Sequence, residues 1–521
     1  MKLTRNEAIK NVENVQEWDI TIIGGGATGL GIAVDAASRG YKTLLIEKYD
    51  FAKGTSSKST KLVHGGVRYL ANGDIKLVMS ALKERGLIFK NAPHVSFVQS
   101  FVIPSYNFFG KMKFLVGLKL YDWLAGKLRI GKSTLLSKAE VIEKLPKIKQ
   151  HNLIGGIQYY DGQFDDARLA LNLGQTAHEH GAVVLNYAEA TAISKDQNGK
   201  VTGLTFVDSD TNKSHTIKSK TVINATGIFV DDILKLDVAA HKNLVRPSQG
   251  THLVIDQKFL GNADALMIPE TSDGRVLFGV PWHGKVLLGT TDTPLHAHQI
   301  EPRPLEEEIE FILNTANDYL DNPPTRKDVL SIFAGLRPLA APTDNDGNST
   351  KEISRDHKLI KSNSGLITIT GGKWTTYRKM AEETVDMAIH VGKLTPKSCK
   401  TTNLPIHGYS TEKRPGHWQV YGTDTEKIQD LIKANPALDT KLHKDFDFIE
   451  AEVVWSCQNE MIYNIEDFLA RRIRFLLLDA KASLEAAPRV AMLMATELQK
   501  DDNWIKSQLE SYSLLVKNYT L

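Results

Sequence analysis

The residues near the N-terminus whose spacing predicts chemistry are three glycines, Gly24, Gly26 and Gly29, in the pattern GxGxxG. The first permits a tight turn, the second lets a pyrophosphate approach the backbone, and the third allows a helix to pack close to a strand. Glu47 follows Gly24 by 23 residues, where a carboxylate can accept hydrogen bonds from a ribose. This order predicts a dinucleotide-binding site. A glycine turn that serves packing alone is the alternative.

A second segment rich in hydrogen-bond donors extends from Gly54 to Asp74 and reads GTSSKSTKLVHGGVRYLANGD. It contains five Ser or Thr residues, three cationic side chains, His64 and the Gly65–Gly66 pair. Donors on a flexible backbone suit a phosphate-bearing ligand, whereas a solvated polar loop is the plainer interpretation. The GxGxxG pattern alone does not separate NAD from FAD.

A strand, a helix and a second strand must position these groups, and all three are visible between Asp19 and Lys48. The apolar run 20–23 indicates a buried strand, and the small and apolar residues of 27–39 indicate a packed helix. Residues 42–46 form the second strand, which ends at Glu47. The sequence therefore predicts a complete βαβ unit around the glycines.

Three further strand-like runs, 222–227, 286–293 and 366–373, end in glycine turns or contain them. Alternating segments between them, such as THLVI and RVLFGV, suit an antiparallel sheet in a separate layer. Residues 425–518 show several helical patterns after a turn-rich linker. We expect an α/β fold: a doubly wound domain interleaved with an antiparallel β domain and followed by an all-α C-terminal domain.

Composition excludes several classes of protein. The 521 residues carry 64 Lys and Arg against 61 Asp and Glu, so nothing in the net charge of +3 points to nucleic acid. Two cysteines, Cys399 and Cys457, give no disulfide framework and indicate a reducing compartment. The first eighteen residues lack the apolar stretch of a secretory signal. Neither HExxH nor paired CxxC spacing occurs, and we expect no metal.

Five blocks of sequence make a family resemblance specific: GGGATG, TSSKSTKLVHGGVRYL, INATGIFVD, GLRPL and ITGGKWTTYRKMAE. The chain resembles the FAD-dependent glycerol-3-phosphate dehydrogenases of the aerobic, quinone-linked type. The resemblance implies oxidation of sn-glycerol 3-phosphate to dihydroxyacetone phosphate by hydride transfer to FAD, with membrane quinone as the electron acceptor. It also implies an FAD-binding domain over 18–90, 151–245 and 355–390, a substrate domain over 91–150 and 246–354, and a helical C-terminal domain over 400–521.

The same resemblance implies which residues contact FAD, and these fall in four stretches of the chain. They are Gly24, Gly26, Ala27, Thr28, Gly29 and Glu47; Thr55, Ser56, Ser57, Thr60, Lys61, Leu62, Gly65 and Gly66; Ala225 and Gly227; and Gly371, Gly372, Lys373, Trp374 and Thr375. The helix predicted after Gly372 would direct its positive N-terminus at the flavin. Tight turns without a ligand are the alternative for both glycine turns.

A base must remove the hydroxyl proton of the substrate while the flavin accepts the hydride. His64 is our first candidate, because it lies in the donor-rich segment and titrates near neutral pH, and His252 is the second. A phosphomonoester carries nearly two negative charges at neutral pH. The resemblance implies that Arg337 and Lys373 both bind substrate and act in catalysis, and that Arg68 and Tyr69 bind substrate only.

A basic stretch from Ser100 to Gln150 holds ten Lys or Arg and three Asp or Glu, interleaved with large apolar residues. The segment FFGKMKFLVGLKLYDWLAGKLRIGK is typical of a helix that lies in a membrane interface. An ordinary core-facing helix with a solvated lysine face is the alternative. With the quinone that the resemblance implies, the stretch predicts peripheral attachment to the cytoplasmic face of the cell membrane.

Other functions stay open at this stage. An oxidase of the same family would return the electrons to oxygen and release hydrogen peroxide. The same fold could also act on an amino or hydroxy acid, and a non-catalytic flavin-bearing protein that binds a membrane or a partner is a rival of another class. The oligomeric state is open, with a homodimer as one alternative, and so is the role of Arg471, Arg472 and Arg474, which a solvated helix face would explain.

Overall fold

The computed structural model describes residues 3–66, 74–340 and 357–521. Within these ranges eighteen strands form two sheets. The strands are β1 (Trp18–Ile23), β2 (Thr43–Ile46), β3 (Leu62–Val63), β4 (Ser96–Ser105), β5 (Thr134–Leu136), β6 (Gly155–Phe164), β7 (Val183–Leu185), β8 (Ala188–Lys195), β9 (Val201–Asp208), β10 (Ser214–Asn224), β11 (Val245–Asp256), β12 (Ala265–Ile268), β13 (Leu277–Trp282), β14 (Lys285–Gly289), β15 (Thr293–Pro294), β16 (Val329–Ala340), β17 (His357–Lys361) and β18 (Ile367–Gly371).

Fourteen α-helices of the described ranges surround the sheets and form the C-terminal part. They are α1 (Arg5–Asn14), α2 (Ala27–Ser38), α3 (Ile75–Asn91), α4 (Phe108–Ala125), α5 (Lys138–Lys144), α6 (Asp166–Glu179), α7 (Val230–Asp237), α8 (Glu306–Tyr319), α9 (Tyr377–Val391), α10 (Thr425–Ala434), α11 (Glu450–Asn459), α12 (Phe475–Leu478), α13 (Ala480–Leu498) and α14 (Asp502–Val516).

The first sheet has the order β17-β18-β10-β1-β2-β7, and β8 and β9 extend it from β10. Its central pairs, from β18 to β7, are all parallel. Strands β1 and β2 are almost completely buried, as strands of a parallel sheet that is covered on both faces are. Helix α2 packs against both α6 and α9. This is the doubly wound domain that the GxGxxG unit predicts.

The second sheet has the order β15-β11-β14-β13-β12-β4-β6-β3, with β16 beside β11 and β5 beside β6. Most of its pairs are antiparallel, and the longest joins β11 to β16. Helix α8 covers one face with Ile309, Ile312 and Leu313, whose three- and four-residue spacing gives the helix one apolar side. Strands β3 and β6 belong to this sheet, although both fall within the ranges predicted for the FAD-binding domain. The chain therefore alternates between the two sheets more often than the predicted ranges do.

The C-terminal part is helical from α10 to α14, as the sequence predicts. Phe468, Leu469, Leu476 and Leu477 are buried in its core. That core also includes Phe333 of β16, so the helices pack directly on the second sheet. The predicted α/β class with an all-α C-terminal domain is confirmed.

Helix α4 lies on the surface, with Leu118, Tyr121 and Ala125 turned inward. Its other side exposes large apolar side chains, among them Phe109 at 87% and Trp123 at 74%. The helix is therefore not an ordinary core-facing helix with only lysines outside. Among residues 3–66, 74–340 and 357–521, no helix is both long and apolar enough to cross a membrane.

Candidate active site

A cavity of about 400 Å³ opens beside the carboxyl ends of β1, β2, β10 and β18. Ligands of open α/β sheets bind at this edge, because the loops that follow the strands meet there. The predicted residues that line it are Gly24, Gly26, Ala27, Thr28, Glu47, Thr55, Ser56, Ala225, Gly227, Gly371, Gly372, Lys373 and Trp374. The three predicted glycine turns and the polar loop are thus parts of one site.

The GxGxxG turn brings β1, β10 and α2 together. Gly24 has φ +111°, and a Cβ there would lie 2.6 Å from the carbonyl oxygen of Ala225. A Cβ on Gly29 would overlap the carbonyl oxygen of Gly24, so only glycine lets α2 approach the strand. Helix α2 begins at Ala27, and the backbone amides of its first turn direct a partial positive charge toward the cavity.

Glu47 stands at the end of β2 and is oriented by backbone donors. The amide of Gly25 donates to Oε2 at 2.6 Å, and the amide of Tyr49 donates to Oε1 at 2.8 Å. Burial raises the pKa of this carboxyl, and the two amides oppose that shift. A carboxylate fixed in this way can accept hydrogen bonds from a neighbouring sugar.

The polar loop after β2 is held against both the glycine turn and the later GGKW turn. The amide of Ala27 donates to Oγ of Ser56 at 2.9 Å. The indole Nε1 of Trp374 donates to the carbonyl of Ser56 at 2.9 Å, and Oγ1 of Thr55 donates to the carbonyl of Leu336 at 2.6 Å. Three stretches far apart in sequence therefore form one wall.

A second cavity of about 310 Å³ adjoins the first on the side of the antiparallel sheet. Gly371, Gly372, Lys373 and Trp374 line both cavities. The predicted residues that line the second cavity alone are Thr60, Leu62, His64, His252, Arg337 and Thr375. Both candidate bases and two of the predicted phosphate ligands thus face one space.

The two histidines of this cavity differ in their surroundings. His64 is half-buried, whereas His252 on β11 is only 2% exposed. The ring of His252 stacks on Phe333 with 4.9 Å between centroids, and its Nε2 lies 2.9 Å from Oγ1 of Thr60. Burial and the nearby charges of Lys61 and Arg337 hold the pKa of His252 well below its ordinary value. This imidazole is neutral at physiological pH.

Arg337 on β16 is oriented by fixed acceptors. Its Nη1 lies 3.2 Å from Oδ1 of Asp292, and its Nη2 donates to the carbonyl of Thr291 at 3.1 Å. A Cβ on Gly250 would lie 2.5 Å from Nη2, so the glycine of the adjacent strand leaves room for the guanidinium. Lys373 follows two glycines with φ of +78° and +76°, directly before the helical turn Trp374–Thr376 and α9.

Comparison with known proteins identifies the family. Residues 19–378 match the FAD dependent oxidoreductase family, and residues 366–504 match the C-terminal domain of alpha-glycerophosphate oxidase. The mitochondrial glycerol-3-phosphate dehydrogenase of Macaca fascicularis is 40% identical over 543 residues, which cover 98% of this chain and 74% of that protein. This chain belongs to the FAD-dependent glycerol-3-phosphate dehydrogenases.

Two further matches agree with this assignment. The mitochondrial glycerol-3-phosphate dehydrogenase of Schizosaccharomyces pombe is 38% identical over 564 residues, covering 96% of this chain and 87% of that protein. The crystal structure of the glycerol-3-phosphate dehydrogenase from Bacillus halodurans, complexed with FAD, superposes with a TM-score of 0.80 at 30% identity. That match covers 99% of this chain and 97% of the other.

The cavities of this dehydrogenase fit FAD. The close approach at Gly24 and Gly29 builds the helix N-terminus that a pyrophosphate needs, and Glu47 lies beside it. The GGKW turn lines both cavities, where the first meets the second.

Five predicted cofactor residues line neither cavity: Gly29, Ser57, Lys61, Gly65 and Gly66. Gly29 acts through packing, as described above. Lys61 is fully buried, and its Nζ bonds Oδ2 of Asp166 and the carbonyl of Ser57, both at 2.7 Å. Burial, with the nearby charge of Arg474, lowers the pKa of Lys61 to about 7. Predicted Arg68 and Tyr69 lie outside the described residues.

The three C-terminal arginines Arg471, Arg472 and Arg474 are buried rather than solvated. They hydrogen-bond both ends of the segment from Asp50 to Ser57. Arg471 and Arg472 both bond Oδ2 of Asp50, at 2.6 and 2.7 Å. Arg474 donates to the carbonyl of Ser57 at 2.8 Å. The alternative that these arginines form a solvated helix face is wrong, because the side chains are buried. Their partner carboxylate, on Asp50, lies far away in sequence. The C-terminal domain therefore holds the loop that forms the wall of both cavities.

Sequence reasoning missed several residues that line the cavities. Asp161 and Tyr159 of β6, Met267 and Phe278 face the second cavity, and Thr290 and Pro338 also line the site. Pro338 stands next to Arg337 in the GLRPL block, so that block held a signal for it. Tyr159, Asp161, Met267 and Phe278 come from strands whose register decides which side chains face inward, and Thr290 directly follows β14; no local motif marks any of them.

Proposed function

We propose that this enzyme oxidises sn-glycerol 3-phosphate to dihydroxyacetone phosphate where its two cavities meet. The observation that carries the proposal is that the two cavities share part of their wall. Lys373 and Trp374 line both cavities, whereas His64, His252 and Arg337 line only the second. A cofactor bound along the first cavity therefore ends beside a space that holds two imidazoles and two cations.

Arg337 and Lys373 are the proposed ligands of the substrate phosphate. Arg337 is oriented in advance by Asp292 and the carbonyl of Thr291, so little ordering remains when the substrate binds. Hydrogen bonds to charged groups contribute about 1.5–3 kcal/mol each. Two of them would favour the phosphorylated substrate over glycerol by about 3–6 kcal/mol, or roughly two to four orders of magnitude.

The substrate loses a hydride from its secondary carbinol carbon and a proton from the hydroxyl on that carbon. FAD, when bound, accepts the hydride. We assign the proton to His64, with His252 as the second candidate. Neutral His252 can donate or accept through Nε2 next to Thr60. His64 is half-buried, so a proton taken there can pass on to water.

A spectroscopic experiment tests both cofactor and substrate. The purified protein is expected to show the absorbance of oxidised flavin, which glycerol 3-phosphate bleaches under anaerobic conditions. Glycerol, L-lactate and L-proline serve as controls for the phosphate and for the amino and hydroxy acid alternatives. A colourless protein that FAD does not reconstitute, or equal bleaching by glycerol, would contradict the proposal.

The proposed electron acceptor is a membrane quinone. The match of residues 366–504 to the C-terminal domain of alpha-glycerophosphate oxidase favours one alternative, in which oxygen is reduced to hydrogen peroxide. Reoxidation is therefore measured with a soluble quinone and with oxygen in parallel. Quinone turnover far above peroxide production supports the proposal, and stoichiometric peroxide at the full turnover rate overturns it.

The outward side of α4 is the proposed membrane contact, on the cytoplasmic face of the cell membrane. Phe109, Met112, Val116, Leu120 and Trp123 are exposed and recur every three or four residues, so they share one face of the helix. Exposed lysines flank that face: Lys113, Lys119 and Lys127. An apolar face edged by cations is what an anionic lipid surface binds.

Liposome flotation tests this contact with a matched pair of variants. Val116 on α4 and Leu514 on α14 are similarly exposed, at 66% and 63%. Val116→Glu is expected to lose binding to vesicles that contain phosphatidylglycerol at low salt, whereas Leu514→Glu is expected to bind like the parent protein. Equal binding by both variants, or no binding by the parent protein, would contradict the assignment.

A further inference from the structure

Tyr121 of helix α4 hydrogen-bonds Asp161, a residue that lines the second cavity. The ring is 2% exposed and lies on the inward side of the helix, opposite the exposed apolar face. Its hydroxyl accepts a hydrogen bond from the amide of Gly65 at 2.7 Å and donates one to Oδ2 of Asp161 at 2.7 Å. The hydroxyl therefore connects the surface helix to the residue that follows His64.

Asp161, which accepts the hydrogen bond from Tyr121, is itself held in place. Arg85 on α3 donates to Oδ1 of Asp161 at 2.8 Å, and the amide of Gly162 donates to the same oxygen at 2.9 Å. Because Asp161 accepts from Tyr121, the phenol lone pairs remain directed at Gly65. Burial also raises the pKa of Tyr121, which keeps the phenol protonated. The hydroxyl has one orientation.

The peptide between His64 and Gly65 is held at both of its polar atoms. Its N–H donates to Tyr121, and its carbonyl accepts from Oγ1 of Thr375 at 3.3 Å. Thr375 directly follows the GGKW turn and lines the second cavity. A Cβ on Gly65 would lie 2.5 Å from Cδ2 of Leu82 and would overlap the Tyr121 hydroxyl, so the backbone here lies flat against α3 and α4.

We propose that Tyr121 is a positioning residue for His64, which together with Thr375 clamps the His64–Gly65 peptide plane. A peptide held at both its N–H and its C=O fixes the direction in which the preceding Cα presents its side chain. The inference rests on the proposed function, since His64 is the proposed base. It adds a second role for α4: the helix that exposes an apolar face on its outward side also positions the proposed base, His64, on its inward side.

The test compares Tyr121→Phe with Tyr106→Phe. Both substitutions remove one hydroxyl and keep the ring. The hydroxyl of Tyr106 donates to the carbonyl of Lys149 at 3.2 Å, away from either cavity, which makes this variant the control. The expected result for Tyr121→Phe is full flavin content and anaerobic reduction by glycerol 3-phosphate slowed tenfold or more, because small displacements of a reacting group cost large factors in rate. The KM is expected to change less than kcat.

Hydrogen–deuterium exchange supplies a readout that needs no turnover. The amide of Gly65 is expected to exchange faster in Tyr121→Phe than in the parent protein, and at the parent rate in Tyr106→Phe. Thr375→Val is the second variant and keeps the test available if Tyr121→Phe does not fold. Since both side chains hold one peptide, the losses in rate for the double variant are expected to be less than multiplicative.

The outcomes separate this inference from the proposed function. Slow reduction with faster Gly65 exchange supports the clamp, and parent-like reduction in Tyr121→Phe overturns it. Unchanged Gly65 exchange also overturns it. If the parent protein is not reduced by glycerol 3-phosphate at all, the proposed function fails, whereas the exchange data still show whether Tyr121 holds the peptide.

Discussion

The close approach of β1 and β10 at Gly24 gives a prediction that can be worked out from distances. A Cβ there would lie 2.6 Å from the carbonyl oxygen of Ala225 and 2.9 Å from its carbonyl carbon. Cβ atoms essentially never come nearer than 3.0 Å, so Gly24→Ala requires a shift of at least 3.0 − 2.6 = 0.4 Å. Both neighbouring atoms are backbone, and the shift must therefore separate the two strands where the pyrophosphate is expected to bind.

Two effects lower the unfolding free energy of Gly24→Ala, and they add. An L side chain at φ +111° costs about 1–3 kcal/mol, and overpacking against a fixed neighbour costs about 1–3 kcal/mol more. Gly199 also has positive φ, +72°, but a Cβ there would meet nothing within 4 Å. Gly199→Ala therefore incurs only a backbone cost, at a φ nearer the left-handed values that other residues of this chain adopt, and the larger loss at Gly24 combines the close approach with its less accessible φ.

The assay is urea unfolding together with flavin absorbance per chain. We expect Gly24→Ala to lose about 2–6 kcal/mol of unfolding free energy and most of its flavin, and Gly199→Ala to lose about 1–3 kcal/mol and to keep its flavin. Gly174→Ala, whose Cβ would lie at an ordinary 3.4 Å from Leu30, is expected to match the parent protein. A Gly24→Ala variant as stable as Gly199→Ala, with full flavin, would refute the reasoning.

Three further predictions concern the buried Arg474, the paired imidazole of His407, and the two candidate bases. Arg474→Met is expected to lose about 3–5 kcal/mol in urea unfolding and to release flavin on gel filtration, because it leaves Asp166 with one cation fewer; parent-like values would rule out the role of Arg474 in holding the loop at Ser57. Hydrogen bonds to two carboxylates outweigh burial and raise the pKa of His407 to about 9, so its stabilisation is complete below the unfolded pKa near 6.5 and is lost as the pH rises through 9. His407→Gln should therefore lower the unfolding temperature at pH 6 and leave it unchanged at pH 10, and an equal loss at both would contradict this assignment. His64→Gln is expected to slow anaerobic flavin reduction by about 10²–10⁴-fold, and His252→Gln less; the reverse order would move the base to His252.

Local spacing was sufficient to predict the dinucleotide half of the site. The residues from Gly24 to Glu47 form one strand–helix–strand unit, so their sequence separation determines their positions in space. The same holds for the Gly371–Gly372 turn, which directly precedes a helix. In such segments the backbone conformation is a property of neighbouring residues, and glycine is the residue that tolerates it.

Tertiary structure decided which polar side chains line the cavities. Thr60, Lys61 and Leu62 are consecutive, yet Lys61 points away from the cavity into a buried pair with Asp166, while its neighbours line the cavity. Lys61 has φ +62°, so the backbone turns at this residue, and only the packed structure shows which side chains then face the ligand. β11 pairs with β16 over almost its entire length, which brings His252 and Arg337 to one side of the second cavity, and His64 lines the same cavity from a segment far away in sequence.

The sequence by itself determined the fold class, the cofactor family and the motifs that carry them, because each rests on residues close together in the chain. Only the tertiary structure assigned the C-terminal arginines to the loop at Asp50 and Ser57, and Tyr121 to the peptide after His64. These contacts join residues separated by up to several hundred positions. Their partners are chosen by the packing of whole domains, and no local pattern of residues encodes that choice.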